Sequence, residues 1–179
     1  MAFHHMALAT TDIDATHRFY TEVMGFTLVK AVAGATGSPG GGWAKHVFYD
    51  TGGGEMLAFW DLHDDTIPQG FDPSISRGLG LPEWVNHIAF DAPDIAALER
   101  HCRRWQEHGI EVVDIDHGWC HSIYATDPNG ILVEFCCTTT TFTPADTAGA
   151  ERVLRERAPE LEAAPEITFH PALAPQPTT

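Results

Sequence analysis

The chain states one pattern twice. His5-Met6-Ala7-Leu8 is followed by Asp12-Ile13 and Ala15, and His87-Ile88-Ala89-Phe90 is followed by Asp94-Ile95 and Ala97. Every matched pair is separated by 82 positions (87 − 5, 94 − 12, 97 − 15). A fixed offset of this size marks a duplicated structural unit. A chain of 179 residues has room for two such units around a shared core. Each copy places a histidine on its opening strand, and two equivalent histidines can face each other across the joint between copies, where a shared metal site can form.

The local signals give both copies the same element order. In the first, His5 to Thr10 alternates as a strand. Asp12 caps a helix over Ile13 to Met24, with Phe19, Tyr20 and Val23 at core spacing, and Gly25 closes it. A strand starts at Phe26. Gly34 to Gly42 holds five glycines and a proline and reads as a loop or mobile flap. Strands over Trp43–Asp50 and Glu55–Leu62 complete the unit. The second copy runs as a strand from Val85, a helix over Asp94 to His108, and strands over 110–115, 121–125 and 131–137. The hairpin chemistry of Asp127-Pro128-Asn129-Gly130 joins the last two.

Each copy is therefore strand, helix and three strands, an α+β arrangement. We expect residues 1–141 to form one domain: module one 1–62, a linker 63–82 with three prolines and three glycines, and module two 83–141. Residues 142–179 are expected to form a C-terminal helix from Thr143-Pro144 to about Ala158, then a Pro-, Ala- and Glu-rich tail along the surface or without fixed structure.

Composition narrows the function classes. Ten basic residues against 25 acidic give a net charge of −15, which argues against nucleic acid and anionic membrane surfaces as partners. No segment reads as a signal peptide or a membrane span. The four cysteines form no C-x-x-C pair and read as reduced thiols of a cytoplasmic protein.

The metal reading rests on three residues. Glu134 lies on the last strand of module two, in Gly130-Ile131-Leu132-Val133-Glu134-Phe135, and aligning glycines sets it against Ala58 of Gly54-Glu55-Met56-Leu57-Ala58-Phe59. The duplication thus offers three protein ligands: His5, His87 and Glu134. Two imidazoles and one carboxylate with open positions suit non-haem Fe(II), and Mn or Zn accept the same donors.

From about Phe3 to Cys137 the chain resembles the vicinal oxygen chelate superfamily, which includes glyoxalase I, extradiol dioxygenases, fosfomycin thiol transferases and metal-free bleomycin-binding proteins. That resemblance implies paired βαβββ modules forming a cupped mixed sheet around a metal held by His5, His87 and Glu134. The run from Ile115 through His117, Ile123-Tyr124, Asp127-Pro128 and Gly130 to Glu134 resembles the signature of type I extradiol ring-cleavage dioxygenases. By this resemblance Tyr124 hydrogen-bonds a metal-bound substrate oxygen, His117 closes over the same region, and His46 is the acid–base histidine; His121 is a second candidate beside His117. Trp43, Phe48, Trp84 and Trp119 are candidate pocket walls. The remaining histidines, His101 and His170 among them, read as surface residues.

The implied activity is Fe(II)-dependent opening of a catechol-like ring, with a small aromatic diol and O2 as substrates in aromatic hydrocarbon catabolism and a homo-oligomer, a dimer, as the assembly. A glyoxalase-like isomerase or thiol transferase on the same fold predicts Ni, Zn or Mn and no need for Tyr124. A non-catalytic antibiotic-binding protein predicts that the three ligands bind nothing.

Overall fold

The computed structural model describes residues 3–173, so the last six residues of the expected tail lie outside the described part. Module one comprises β1 (His5–Thr10), α1 (Ile13–Arg18), β2 (Thr27–Ala35), β3 (Gly42–Asp50) and β4 (Met56–Asp64). Module two comprises β5 (His87–Asp91), α2 (Ile95–Glu107), β6 (Val112–Asp116), β7 (Cys120–Thr126) and β8 (Leu132–Thr138). The repeat extends to the helix caps: Asp12 accepts from Ala15 N at 2.9 Å, and Asp94 accepts from Ala97 N at 2.6 Å. Both caps satisfy a first-turn N–H that has no partner within the helix.

The two modules build two mixed sheets. One has strand order β1-β4-β3-β2; the other has β5-β8-β7-β6-β9, where β9 is Glu166–His170. β1 pairs parallel with β4 as β5 does with β8, so both histidine-bearing strands are sheet edges. The architecture is α+β with tandem βαβββ modules. A single core joins them: Tyr20, Phe26, Tyr49 and Phe59 from module one cluster with Ile88, Trp105, Ile123 and Phe135 from module two. A buried polar link crosses the same boundary, with the Tyr20 hydroxyl donating to Asp127 at 2.9 Å and Asn129 Nδ2 donating to Thr16 at 3.1 Å.

Three local expectations need correction. The first helix is not uniform: after Arg18 the backbone widens into a π-helical turn over Phe19–Val23, closed by Met24 N to Phe19 O at 2.9 Å. That turn places Phe19, Tyr20 and Val23 in the core. The glycine-rich stretch is shorter than expected, because β2 runs on to Ala35 and β3 begins at Gly42. The remaining connection is tied to buried Asp64, which accepts from Thr36, from Ser38 at 2.5 Å and from Thr66 at 2.6 Å. These donors hold the Asp64 carboxyl well below the usual carboxylate range.

The linker is partly ordered, with a 3-10 turn over Arg77–Leu79 and the Ser74 hydroxyl donating to the Gly130 carbonyl at 2.7 Å. The tail does more than run along the surface, since β9 joins the second sheet. Its partner edge, β6, is distant in sequence, so no local signal announces the pairing.

Helix α3 (Pro144–Arg155) starts on the expected Thr143-Pro144 with a capping box to Asp146. The turn before β8 also forms as its residues dictate: Asp127 Oδ1 accepts from Asn129 N and Ile131 N, both at 2.8 Å, and Gly130 takes φ +71°. A side chain at Gly130 would also collide with the Arg77 guanidinium. Among the described residues no helix is long and apolar enough to cross a membrane.

Candidate metal centre

The site is best built from the alternation of the second sheet. Cross-strand partners share a face, and the register aligns Ala89, Glu134, Tyr124, Val113 and Phe169 in one row across all five strands. This face is turned away from α2. His87 lies two residues before Ala89 on β5, and so on the same face. Its Nε2 sits 3.0 Å from Glu134 Oε2, and its ring lies 6.3 Å from that of Tyr124. His117, in the β6–β7 turn, brings Nε2 to 3.0 Å from the Tyr124 hydroxyl. Four of the six residues expected at the site, His87, Glu134, His117 and Tyr124, are therefore neighbours on one face.

Glu134 is 5% exposed and sits among strands. His87 Nδ1 lies 3.3 Å from the Trp84 carbonyl; in the tautomer that donates there, the Nε2 lone pair is directed at the Glu134 carboxylate, and in the other Nε2–H donates to it. A lone pair and a carboxylate oxygen at that distance need a positive centre between them, either a proton or a metal ion. The same 3.0 Å is the spacing of neighbouring donors on one ion with bonds of about 2.1 Å at a right angle. The pair thus fits two ligands of a divalent metal, with the carbonyl orienting the imidazole. Burial raises the Tyr124 phenol well above its ordinary pKa, so at neutral pH it is a protonated hydrogen-bond donor.

The other two expected residues gather on the first sheet. His5 and His46 have ring centroids 6.1 Å apart, and His5 meets Phe48 edge-on at 5.5 Å. His46 is 8% exposed, its Nε2 is buried without a hydrogen-bond partner, and it stacks on Trp60 at 3.7 Å. Burial and, secondarily, the charge of nearby His5 lower its pKa. Among the described residues no three His, Cys, Asp or Glu side chains are grouped to hold a metal within one chain. His5 is thus on a different sheet from the His87–Glu134 pair. A groove of about 770 Å³ runs between the free edges of β1 and β5, lined by Met6, Met56, Leu57, Ile88 and Phe90, with His87 among its walls.

The alternatives left open by sequence are sorted by strand parity. His121 points to the α2 side of its sheet, where its Nε2 contacts Asp114 Oδ1 at 2.5 Å, while His117 reaches Tyr124 on the opposite face. Two histidines read as surface residues are engaged. His101 stacks on Phe135 at 3.7 Å, and burial together with the charges of Arg104 and Arg100 lowers its pKa to about 4. His170 Nε2 contacts Asp114 Oδ2 at 2.9 Å. Trp43 and Trp119 do not wall a common pocket, for Trp43 stacks on His63 and Trp119 packs against Phe142. Phe48 does adjoin candidate residues, lying 5.5 Å from His5 and 4.1 Å from His46; Trp60, which also stacks on His46, was signalled by its position two residues after Ala58, on the same strand face.

A domain from Frankia sp. EAN1pec, described as glyoxylase/bleomycin resistance protein/dioxygenase, is similar over 77% of this chain and 98% of its own, at 18% identity and a TM-score of 0.58. The fosfomycin resistance protein FosX from Listeria monocytogenes is similar over 78% of this chain and 94% of its own, at 18% identity and a TM-score of 0.52. At that identity both likenesses speak for the fold alone. The lactoylglutathione lyase of Agrobacterium tumefaciens is 25% identical, with a TM-score of 0.51 over 76% of this chain and 92% of its own. No curated protein matches the chain by sequence. A family profile matches residues 2–135, spanning both histidine strands and Glu134, and the chain belongs to the Glyoxalase/Bleomycin resistance protein/Dioxygenase superfamily.

Proposed function

We propose that the protein is a metal-dependent extradiol dioxygenase that opens a catechol-like ring with O2. The observation that carries this reading is the His117–Tyr124 pair, 3.0 Å apart, on the face that bears the His87–Glu134 pair. A half-buried, protonated phenol beside two metal-type donors suits a reaction in which negative charge develops on a bound substrate oxygen. An isomerase or thiol transferase makes no such use of Tyr124. The 25% identity to a lactoylglutathione lyase favours that second reading.

In this proposal His5, His87 and Glu134 hold one divalent ion, with Fe(II) best matched to two imidazoles and a carboxylate, and Mn, Zn or Ni as alternatives. When bound, the ion would bring both oxygens of the diol and O2 together and pass charge between them. In this proposal His46, whose buried Nε2 has no hydrogen-bond partner within the chain, takes a proton from a diol hydroxyl and returns it later. Tyr124 donates to the substrate oxygen, and His117 orients that hydroxyl. Because His5 and His46 stand on the other sheet, we further propose a homodimer in which the partner's His5 completes each set. The four free cysteines accord with a cytoplasmic setting.

The test is anaerobic loading with Fe(II), followed by oxygen uptake and product analysis on a panel of catechols. The proposal expects one O2 consumed per ring opened, with both oxygen atoms in the product. Absence of uptake, together with isomerisation of a glutathione hemithioacetal, favours the second reading.

A further inference from the structure

The C-terminal strand lies outside the region that defines the family, since the profile ends at residue 135 and β9 spans Glu166–His170. It is nevertheless firmly built. Five registered pairs join it to β6, His170 Nε2 contacts Asp114 at 2.9 Å, Gln106 Nε2 donates to the Pro171 carbonyl at 3.0 Å, and Leu173 N donates to the Gln106 carbonyl at 2.9 Å. The pairing runs along the whole strand, and the contacts of His170, Pro171 and Leu173 lie at its C-terminal end or on the α2 side. The opposite side of β9 carries Ile167 and Phe169, paired in register with Ile115 and Val113. Phe169 is 64% exposed and Ile167 49% exposed. Large apolar side chains so open, on a strand held so tightly, are not explained by the core.

Their direction is informative. Phe169 stands in the same cross-strand row as Val113, Tyr124 and Glu134. From Tyr124 to Phe169 is two strand spacings, about 10 Å, a span that a second ring or a short alkyl chain attached to a bound diol can cover. Val113 and Ile115, half-buried between them, continue the apolar floor. Nothing ionisable interrupts the row between Tyr124 and Phe169.

We propose that β9 is a specificity element of the candidate site: Phe169, with Ile167, Val113 and Ile115, forms an apolar subsite that selects aromatic diols carrying an apolar aryl or alkyl substituent. The inference rests on the functional reading above for the diol, and on the register alone for the position of the subsite. Apolar contacts made equally before and during reaction act on KM and leave kcat largely unchanged.

The experiment compares wild type, Phe169→Ala and Phe169→Leu in the full-length Fe(II)-loaded protein, using catechol and phenyl-substituted catechol. Binding of both diols is measured anaerobically by calorimetry alongside turnover. The expected result is that Phe169→Ala shifts the ratio of the two KM values, and of the two dissociation constants, by about 10-fold or more against the phenyl-substituted diol, while Phe169→Leu recovers most of the preference. An unchanged ratio overturns the proposal, as does a change in oligomeric state on Phe169→Ala, which would make β9 an interface between copies. Phe169-dependent binding without ring opening supports the subsite and removes the dioxygenase reading. Ring opening indifferent to Phe169 does the reverse, and failure of either diol to bind overturns both.

Discussion

The open faces of the two sheets share one backbone register and differ in chemistry. In the first sheet Ala7, Ala58 and Phe48 lie in one row; in the second, Ala89, Glu134 and Tyr124 occupy the equivalent places. The later strands are offset by 76 positions (134 − 58, 124 − 48), six fewer than the opening strands, so loop length changed while strand pairing did not. Where module two has a carboxylate and a phenol, module one has a methyl and a phenyl group of matching position. The histidine strand survives in both. Duplication supplied the geometry twice, and side-chain divergence left the carboxylate and the phenol hydroxyl in one copy alone.

The largest effect expected from collapsing this difference is at Glu134. Glu134→Ala makes the module-two row resemble that of module one, and should abolish stoichiometric metal binding and lower turnover by about 10³-fold or more, since the proposed ion would supply several kcal/mol of transition-state stabilisation. Metal analysis after gel filtration reads the first outcome directly. The reciprocal change, Ala58→Glu, buries a carboxylate at a fully buried position beside Ala7 and Phe48. It should create no second site and should lower stability by about 1–3 kcal/mol, measured by denaturant unfolding.

Tyr124→Phe reproduces Phe48 of module one. It removes one hydroxyl and keeps the ring, so metal content should hold while the barrier rises by about 2–4 kcal/mol. Unaltered turnover on the active substrate would favour the isomerase or transferase reading. His46→Ala acts from the other sheet. A proton-transfer residue typically contributes about 10²-fold or more, so turnover should fall much further than metal content. Loss of metal would instead make His46 a ligand.

The smallest effect concerns stability. His101 has its pKa lowered to about 4 from an ordinary 6.5. Between these values the unfolded chain binds a proton that the native chain refuses, so native stability falls as pH drops through that window. Thermal melts of His101→Gln should show a flatter dependence between about pH 6.5 and 4 than wild type. Identical slopes would remove His101 from the acid response.

Much of this was legible in the residues. The repeat gave equivalent strands, Asp12 and Asp94 gave both caps, and Asp127-Pro128-Asn129-Gly130 gave the hairpin before β8, because each is a local choice with a local energetic reason. Strand parity then set Glu134 and Tyr124 on one face. What escaped was non-local. The strand at Glu166–His170 does alternate, with Ile167 and Phe169 on one side, but its existence depends on the free edge of β6 some fifty residues earlier. The contact of His170 with Asp114 follows from the same pairing. The separation of His5 from Glu134 depends on how Tyr20, Phe26 and Phe135 pack the modules together, which neither copy encodes alone.

The proposed function requires a single metal ion shared by ligands from both modules. Anaerobic Fe(II) titration by calorimetry, run on wild type, His5→Ala and Glu134→Ala, tests it most directly. The account predicts one tight site per chain in wild type and its loss in each variant. Full retention of that site in His5→Ala would contradict it, leaving module one with no part in the metal centre.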